Sequence, residues 1–220
     1  MTRLEACLID AYGTILTCDY AAHRRELPVL AGIPADEMYA EFARHGPDLT
    51  VGRLTMTELY ERILRACSVP RAGLALQMAD RGRELFLATA RLYDDVLPFL
   101  RVLRSAGIRS AIVSNCDEYM RDLLDAAGVT ALTDALVLSC EVGVAKPAAQ
   151  IYQHALDRLG VEAQAALFVD DNPASCAGAA ALGLPVAQMD RGRVDDFLAG
   201  ATVVRSLPEV EEMLREPGRR

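Results

Sequence analysis

Residues 148–171 read AAQIYQHALDRLGVEAQAALFVDD, and this stretch contains the unit from which most of the chain is built. Ile151, Ala155, Leu156 and Leu159 recur at the spacing of one helix face, which predicts a helix over 148–159. Gly160-Val161 is a helix-ending signal. Glycine takes the left-handed conformation without steric cost, and the apolar residue after it packs back on the last turn. The apolar run over 166–169 then reads as a short buried strand, and it ends on two acids, Asp170 and Asp171.

The same unit recurs on both sides. Helices are predicted over 96–106, 116–127 and 173–182, the second placing Met120, Leu123, Leu124 and Ala127 on one face. They end at Gly107-Ile108, Gly128-Val129 and Gly183-Leu184, and strands are predicted over 4–9, 108–113, 135–138 and 186–188. Strands alternating with helices imply an α/β fold, a mainly parallel sheet covered on both faces. Residues 18–92 break the rhythm: they read as helical throughout, with no strand. Thr55 and Glu58 form a capping-box signature ahead of Leu59, Ile63 and Leu64, and 74–91 is a second long helical pattern. The expected organisation is a core of residues 1–17 and 93–220 with an all-helical domain, 18–92, inserted after the first strand. The tail 216–220 is expected to fray.

Composition narrows the function classes. With 220 residues, 52% of them hydrophobic and 25% charged, the chain can bury a core. A net charge of -8 argues against nucleic acid or an anionic membrane as partner. No apolar run approaches membrane-helix length, and the first ten residues carry Arg3, Glu5 and Asp10, so a cytoplasmic protein is expected. The six cysteines form no CxxC pair, which argues against a zinc knuckle or a disulfide framework; Cys7 reads as a small core hydrophobe. His23, His45 and His154 show no metal-type spacing, and His154 falls on a polar helix face.

In open parallel sheets, ligands bind beyond the carboxyl ends of the strands. Here those ends read Leu8-Ile9-Asp10, Val113-Ser114-Asn115, Leu138-Ser139 and Val169-Asp170-Asp171, with Lys146 just ahead of the next helix. One polar residue at a strand end is ordinary, and Ser-Asn is common capping chemistry. Three carboxylates on one rim repel unless a cation or the lysine offsets them, so a site explains the crowding better than chance.

The order of these motifs resembles the haloacid dehalogenase superfamily over nearly the whole chain. The carriers are Asp10-Ala11-Tyr12-Gly13-Thr14, Val113-Ser114-Asn115, Lys146-Pro147 with Ile151-Tyr152, and Phe168-Val169-Asp170-Asp171-Asn172-Pro173. The resemblance implies a three-layer Rossmann-like core, with 18–92 as a helical cap that closes over the cleft. It implies that Asp10 attacks the substrate to form a covalent aspartyl intermediate, which water then hydrolyses. Gly13 allows the sharp turn, Thr14 and Ser114 donate hydrogen bonds to the transferring group, and Lys146 offsets negative charge. Asn115, in the second motif, belongs to the implied catalytic set. Asp10, Asp170, Asp171 and the carbonyl of Tyr12 are the implied Mg²⁺ ligands. The implied partner is a small, anionic substrate; a homodimer is compatible with the resemblance.

Two motifs depart from the family's patterns in opposite directions. Phosphatases of the family carry a second Asp, an acid–base worth about a hundred- to ten-thousand-fold, where this chain has Tyr12. A phenol of pKa about 10 is a poor base at neutral pH but can donate a proton. Asp-x-Tyr-Gly-Thr is similar instead to 2-haloacid dehalogenases, whose halide leaves without a proton, and Tyr152 has a counterpart there. Those enzymes carry hydroxyl residues where Asp170 and Asp171 stand, need no metal, and use an Asp at the position of Ser175. Three classes remain open: a Mg²⁺-dependent phosphoryl hydrolase with Tyr12 replacing the acid–base Asp, which is favoured; displacement at carbon or another pathway-specific leaving-group reaction; and a binding or regulatory protein on a weakened scaffold. Arg44 and Arg53 are candidates for gripping an anionic substrate, though a solvated arginine is the commoner case.

Overall fold

The computed structural model describes residues 3–69, 71–192 and 196–215; the predicted fraying over 216–220 lies outside them. In chain order the elements are β1 (Ala6–Ile9), β2 (Leu16–Thr17), α1 (Ala21–Ala31), α2 (Ala35–Thr50), α3 (Met56–Ala66), α4 (Leu74–Thr89), β3 (Arg91–Leu92), α5 (Val96–Ser105), β4 (Arg109–Ser114), α6 (Tyr119–Ala126), β5 (Ala135–Leu138), α7 (Ser139–Val142), α8 (Ala149–Leu159), β6 (Ala166–Asp170), α9 (Pro173–Ala181), β7 (Val186–Met189), β8 (Thr202–Val204) and α10 (Leu207–Arg215). Six strands form one parallel sheet in the order β5-β4-β1-β6-β7-β8. The predicted α/β fold is the observed one. Gly107, Gly128, Gly160 and Gly183 all have positive φ, as the helix-ending signals require.

β1 sits inside the sheet with all four residues buried, which is why it reads as an unbroken apolar run. Its side chains alternate between faces. Ala6 and Leu8 join the cluster formed with α8 and α9, while Cys7 and Ile9 join a larger cluster on the other face. That larger cluster runs without a break into the insertion, where Met38, Leu59, Ile63 and Met78 are fully buried. The capping box of α3 is present: the Thr55 hydroxyl accepts from the Glu58 N–H, and the Thr55 N–H donates to the Glu58 carboxylate at 2.7 Å.

Two expectations are corrected, and two elements are added. Residues 18–92 are not free of strand: Arg91–Leu92 pairs antiparallel with Leu16–Thr17, so the chain enters and leaves the helical segment along one two-stranded ribbon. The helix expected from 116 begins at Tyr119. Cys116 donates its N–H to the Ser139 hydroxyl, and Asp117 accepts from the Tyr119 N–H, so residues 116–118 form a polar turn ahead of the helix. The sheet also continues beyond 188 into β8, followed by α10.

Candidate active site

Strand register builds the site. Ile9 of β1 is level with Ile112 of β4 and Val169 of β6, so Asp10, Asp170 and the Ser114-Asn115 pair emerge together at the carboxyl edge. Strand order reverses at β1: the chain goes to β4 and β5 on one side and to β6, β7 and β8 on the other. Clefts form at such a reversal. A cavity of about 430 Å³ opens there, with Asp10, Lys146, Asp170 and Asp171 in its wall.

Lys146 donates to Asp10 at 2.5 Å and to Asp170 at 2.6 Å, and all three side chains are buried. Burial alone would push its ammonium toward deprotonation; the two carboxylates outweigh that and raise its pKa. Asp10 moves up from the ordinary carboxylate range, first through burial and then through Asp170 and Asp171, with Lys146 opposing. Asp171 is pushed up to about 6 by burial and by Asp170. Oxygens of Asp10, Asp170 and Asp171 lie within 4.8 Å of one another. Three carboxylates share one ammonium, an excess of two negative charges when all are ionised. A divalent cation with hard oxygen preferences fits that donor set.

Lys146 is itself held in place. The Asn115 side chain donates to the Lys146 carbonyl at 2.9 Å and accepts from its N–H at 2.8 Å. Gly178 of α9 lies against Pro147 so closely that a Cβ there would stand 2.5 Å from the Pro147 carbonyl oxygen. Gly13 is the second tight approach. Its φ is +76°, and a Cβ would fall 2.0 Å from a carboxylate oxygen of Asp171. Asn172 accepts from the Ala174 and Ser175 N–H groups and thereby starts α9 just beyond the acids.

The structure thus brings Asp10, Tyr12, Asn115, Lys146, Asp170 and Asp171 to one cavity. Thr14 and Ser114 are fully buried close by in the chain, outside the cavity wall, and their hydroxyls have no hydrogen-bond partner. An unpartnered buried hydroxyl costs about 1–3 kcal/mol, so two of them beside Asp10 are consistent with groups kept for a ligand. Tyr12 packs its ring 6.2 Å from Phe86 of α4. Burial first, then Tyr20 and Asp117, hold its phenol well above the usual pKa. Tyr152 is a core residue, its hydroxyl bonded to the Ser175 carbonyl at 2.7 Å. Arg44 and Arg53 do not reach the cavity: their side chains are 70% and 69% exposed and paired with Glu41 and Asp48. Sequence reading overlooked Cys18 and Tyr20, which complete the wall beside Tyr12. It also overlooked Gln188 and Arg191. Fully buried Gln188 donates to the Asp171 carbonyl at 3.1 Å, and Arg191 donates to the Thr14 carbonyl. Gln188 ends the strand expected over 186–188, a signal that could have found it; Arg191 carries no such local signal.

Comparison with known proteins bears on the family and the fold. Residues 4–183 match the model of the haloacid dehalogenase-like hydrolases. The chain is 28% identical over 203 residues to (S)-2-haloacid dehalogenase 1 of a Pseudomonas species, covering 87% of this chain and 86% of that one. It is 25% identical over 224 residues to a phosphatase of Mycobacterium tuberculosis, covering 98% and 99%. A dehalogenase of known structure superposes with a TM-score of 0.67 at 26% identity, over 97% of this chain and 98% of the other. By its family match, its sheet and its strand-end carboxylates, the chain belongs to the haloacid dehalogenase-like hydrolases.

Proposed function

We propose that this hydrolase is a Mg²⁺-dependent phosphoryl hydrolase acting on a small phosphate ester through an aspartyl phosphate on Asp10. The observation that carries the reading is the group of three carboxylates facing a single lysine. Asp10, Asp170, Asp171 and the carbonyl of Tyr12 would hold the metal. When bound, Mg²⁺ supplies positive charge against the phosphoryl oxygens. A carboxylate oxygen of Asp10 bonds to phosphorus as the bond to the leaving oxygen breaks. The leaving oxygen takes the proton of the Tyr12 hydroxyl. Lys146 keeps the charge of Asp10 and of the transition state balanced. Tyr12 then regains a proton from solvent, water attacks the phosphorus as the Asp10–phosphorus bond breaks, and inorganic phosphate leaves carrying the protons of that water.

The insertion, 18–92, serves as the cap in this reading; it meets the site through Phe86 against Tyr12 and through Cys18 and Tyr20 in the cavity wall. A cytoplasmic location goes with six cysteines that are all free thiols. No helix among the described residues is long and apolar enough to cross a membrane.

One observation favours displacement at carbon instead. Tyr12, held as a neutral phenol, is not needed as a base when a halide leaves. Against this, a 2-haloacid brings a carboxylate that needs a cation, and Lys146 is the one basic side chain among the described residues lining the cavity. The deciding experiment measures phosphate and halide release over a small substrate panel, with Mg²⁺ and with a chelator. Phosphate release that the chelator abolishes is expected. Halide release in chelator, without phosphate release, overturns the reading.

A further inference from the structure

Arg191 sits on the turn after β7, where Gly192 donates its N–H to the Asp190 side chain at 2.7 Å. Its side chain is 10% exposed, and the guanidinium uses all three nitrogens. Nε and Nη2 donate to the Thr14 carbonyl at 3.2 and 3.1 Å. Nη1 and Nη2 donate to the two carboxylate oxygens of Asp95, each at 2.9 Å. The guanidinium also stacks 4.3 Å from the centre of the Tyr93 ring. Asp95 in turn accepts from the Leu207 N–H at the start of α10 at 2.9 Å. Burial would raise the Asp95 carboxyl, but Arg191 and that N–H outweigh it and hold it below the usual range.

The partners of Arg191 are two short pieces of chain that bracket the ribbon. Thr14 lies at the entrance to β2 and only four residues after Asp10, while Tyr93 and Asp95 lie just past the exit of β3. The pieces are also joined directly, Tyr93 donating its N–H to the Ile15 carbonyl at 3.1 Å. The ribbon β2/β3 is the covalent route into and out of the helical insertion. A residue gripping both strands at the ribbon's core end, where Leu16 pairs with Leu92, is placed to fix where the ribbon pivots and where the Asp10 loop rests.

We propose that Arg191 is a positioning residue, the fulcrum of the β2/β3 ribbon, which sets the Asp10–Thr14 loop for reaction and couples it to the seating of the insertion. It acts through the Thr14 carbonyl and Asp95 and does not touch substrate. This goes beyond the phosphatase reading, because it holds for either leaving group. The planar fork is required: a lysine has one nitrogen and cannot span Thr14 and both oxygens of Asp95.

The test uses the full chain and the variants Arg191→Lys, Arg191→Met, Asp95→Asn and Arg191→Lys/Asp95→Asn. Folding is checked by circular dichroism, and turnover is followed with para-nitrophenyl phosphate and Mg²⁺. A loop displaced from attack geometry lowers kcat by about 10- to 100-fold with KM changed by less than about threefold. Arg191→Lys is expected to show this split, and the double variant to lose much less than the product of the singles. Amide hydrogen exchange provides a readout that needs no substrate. Peptides over 10–17 and 91–96 should lose protection together in Arg191→Lys and Arg191→Met, while 109–114 stays protected. If wild type does not turn over the phosphate ester, the phosphatase reading fails and hydrogen exchange alone decides the fulcrum. Folded Arg191→Lys with unchanged kcat, or loosening confined to 186–207, overturns the proposal.

Discussion

Asn115 and Lys146 hold each other by two hydrogen bonds, side-chain amide to backbone carbonyl at 2.9 Å and backbone N–H to side-chain carbonyl at 2.8 Å. A side chain at the end of β4 thus fixes the main chain of the residue whose ammonium bridges Asp10 and Asp170. The amide satisfies both backbone groups as a neighbouring strand would, and it leaves the lysine head free to serve the acids. Asn115→Ala removes both bonds and leaves a half-buried N–H and carbonyl unpaired, a cost of about 1–3 kcal/mol in stability. The expected outcome is a lower midpoint in urea and a larger fall in kcat than in affinity for substrate. Asn115→Asp keeps the bond from the Lys146 N–H and loses the donor to its carbonyl, so its midpoint should lie between those of wild type and Asn115→Ala.

Magnesium should stabilise the protein more at neutral than at acid pH. Asp171 has its pKa raised to about 6 from an ordinary value near 4, and Asp10 shifts in the same direction. A raised carboxylate pKa means the metal-free fold binds more protons than the unfolded chain between those values. The stability from holding that proton is complete below about 4 and lost as pH rises through about 6. A cation binds the deprotonated form, so it displaces protons and gains affinity as pH rises through the same window. The increment in melting temperature at fixed Mg²⁺ should therefore grow from pH 5 to pH 7.5, and calorimetric binding enthalpies should depend on the buffer's ionisation heat. An increment that is flat across this range would detach Asp171 from the metal.

Burial and its neighbours keep Tyr12 a neutral phenol, so in the proposed reaction it offers the leaving group a weak acid and offers water no base. Under the proposed mechanism, loss of the aryl or alkyl group is then assisted, while attack of water on the aspartyl phosphate, which follows reprotonation of the phenol from solvent, is not. Rapid mixing should reveal a burst of leaving group close to one equivalent per enzyme, followed by slower turnover. Tyr12→Phe keeps the ring contact with Phe86 and removes the proton, so alkyl phosphates should lose more rate than para-nitrophenyl phosphate, whose leaving group needs little protonation. Tyr12→Asp should shrink the burst and raise steady-state turnover of simple monoesters by about tenfold or more. No gain in a folded variant that still binds Mg²⁺ would remove Tyr12 from the account.

The helices and strands of the core were legible because each carries its own period and its own stop signal, as 148–171 does. The acids, Asn115 and Lys146 were legible for a related reason: sheet topology decides which ends meet, and every strand end could be inspected. What could not be read is set by contacts distant in sequence. Leu16–Thr17 and Arg91–Leu92 are too short to show a period, and each is a strand only because the other lies beside it. Arg191 reaches Thr14 across 177 positions, and no local pattern announces that. Arg44 illustrates the converse, since the spacing that made it a candidate leaves it paired with Glu41 on the outside of α2.

Gly13 and Asp171 offer the sharpest check on the geometry of the acids. Two costs attend Gly13→Ala. At φ +76° an alanine pays about 1–2 kcal/mol for the left-handed backbone, wherever it stands. Its methyl carbon would also lie 2.0 Å from an Asp171 carboxylate oxygen, so that carboxylate must swing away from Asp10 and Asp170. The two costs separate in a double-mutant cycle. Asp171→Ala removes the obstacle and leaves only the backbone cost, so Gly13→Ala should destabilise the Asp171→Ala background less than wild type. In the otherwise native chain, Gly13→Ala should also lose most of the Mg²⁺-dependent rise in melting temperature, although no proposed metal ligand has been altered. Additive stabilities together with an unchanged metal response would mean that Asp171 does not lie over Gly13, and the three-carboxylate arrangement would have to be abandoned.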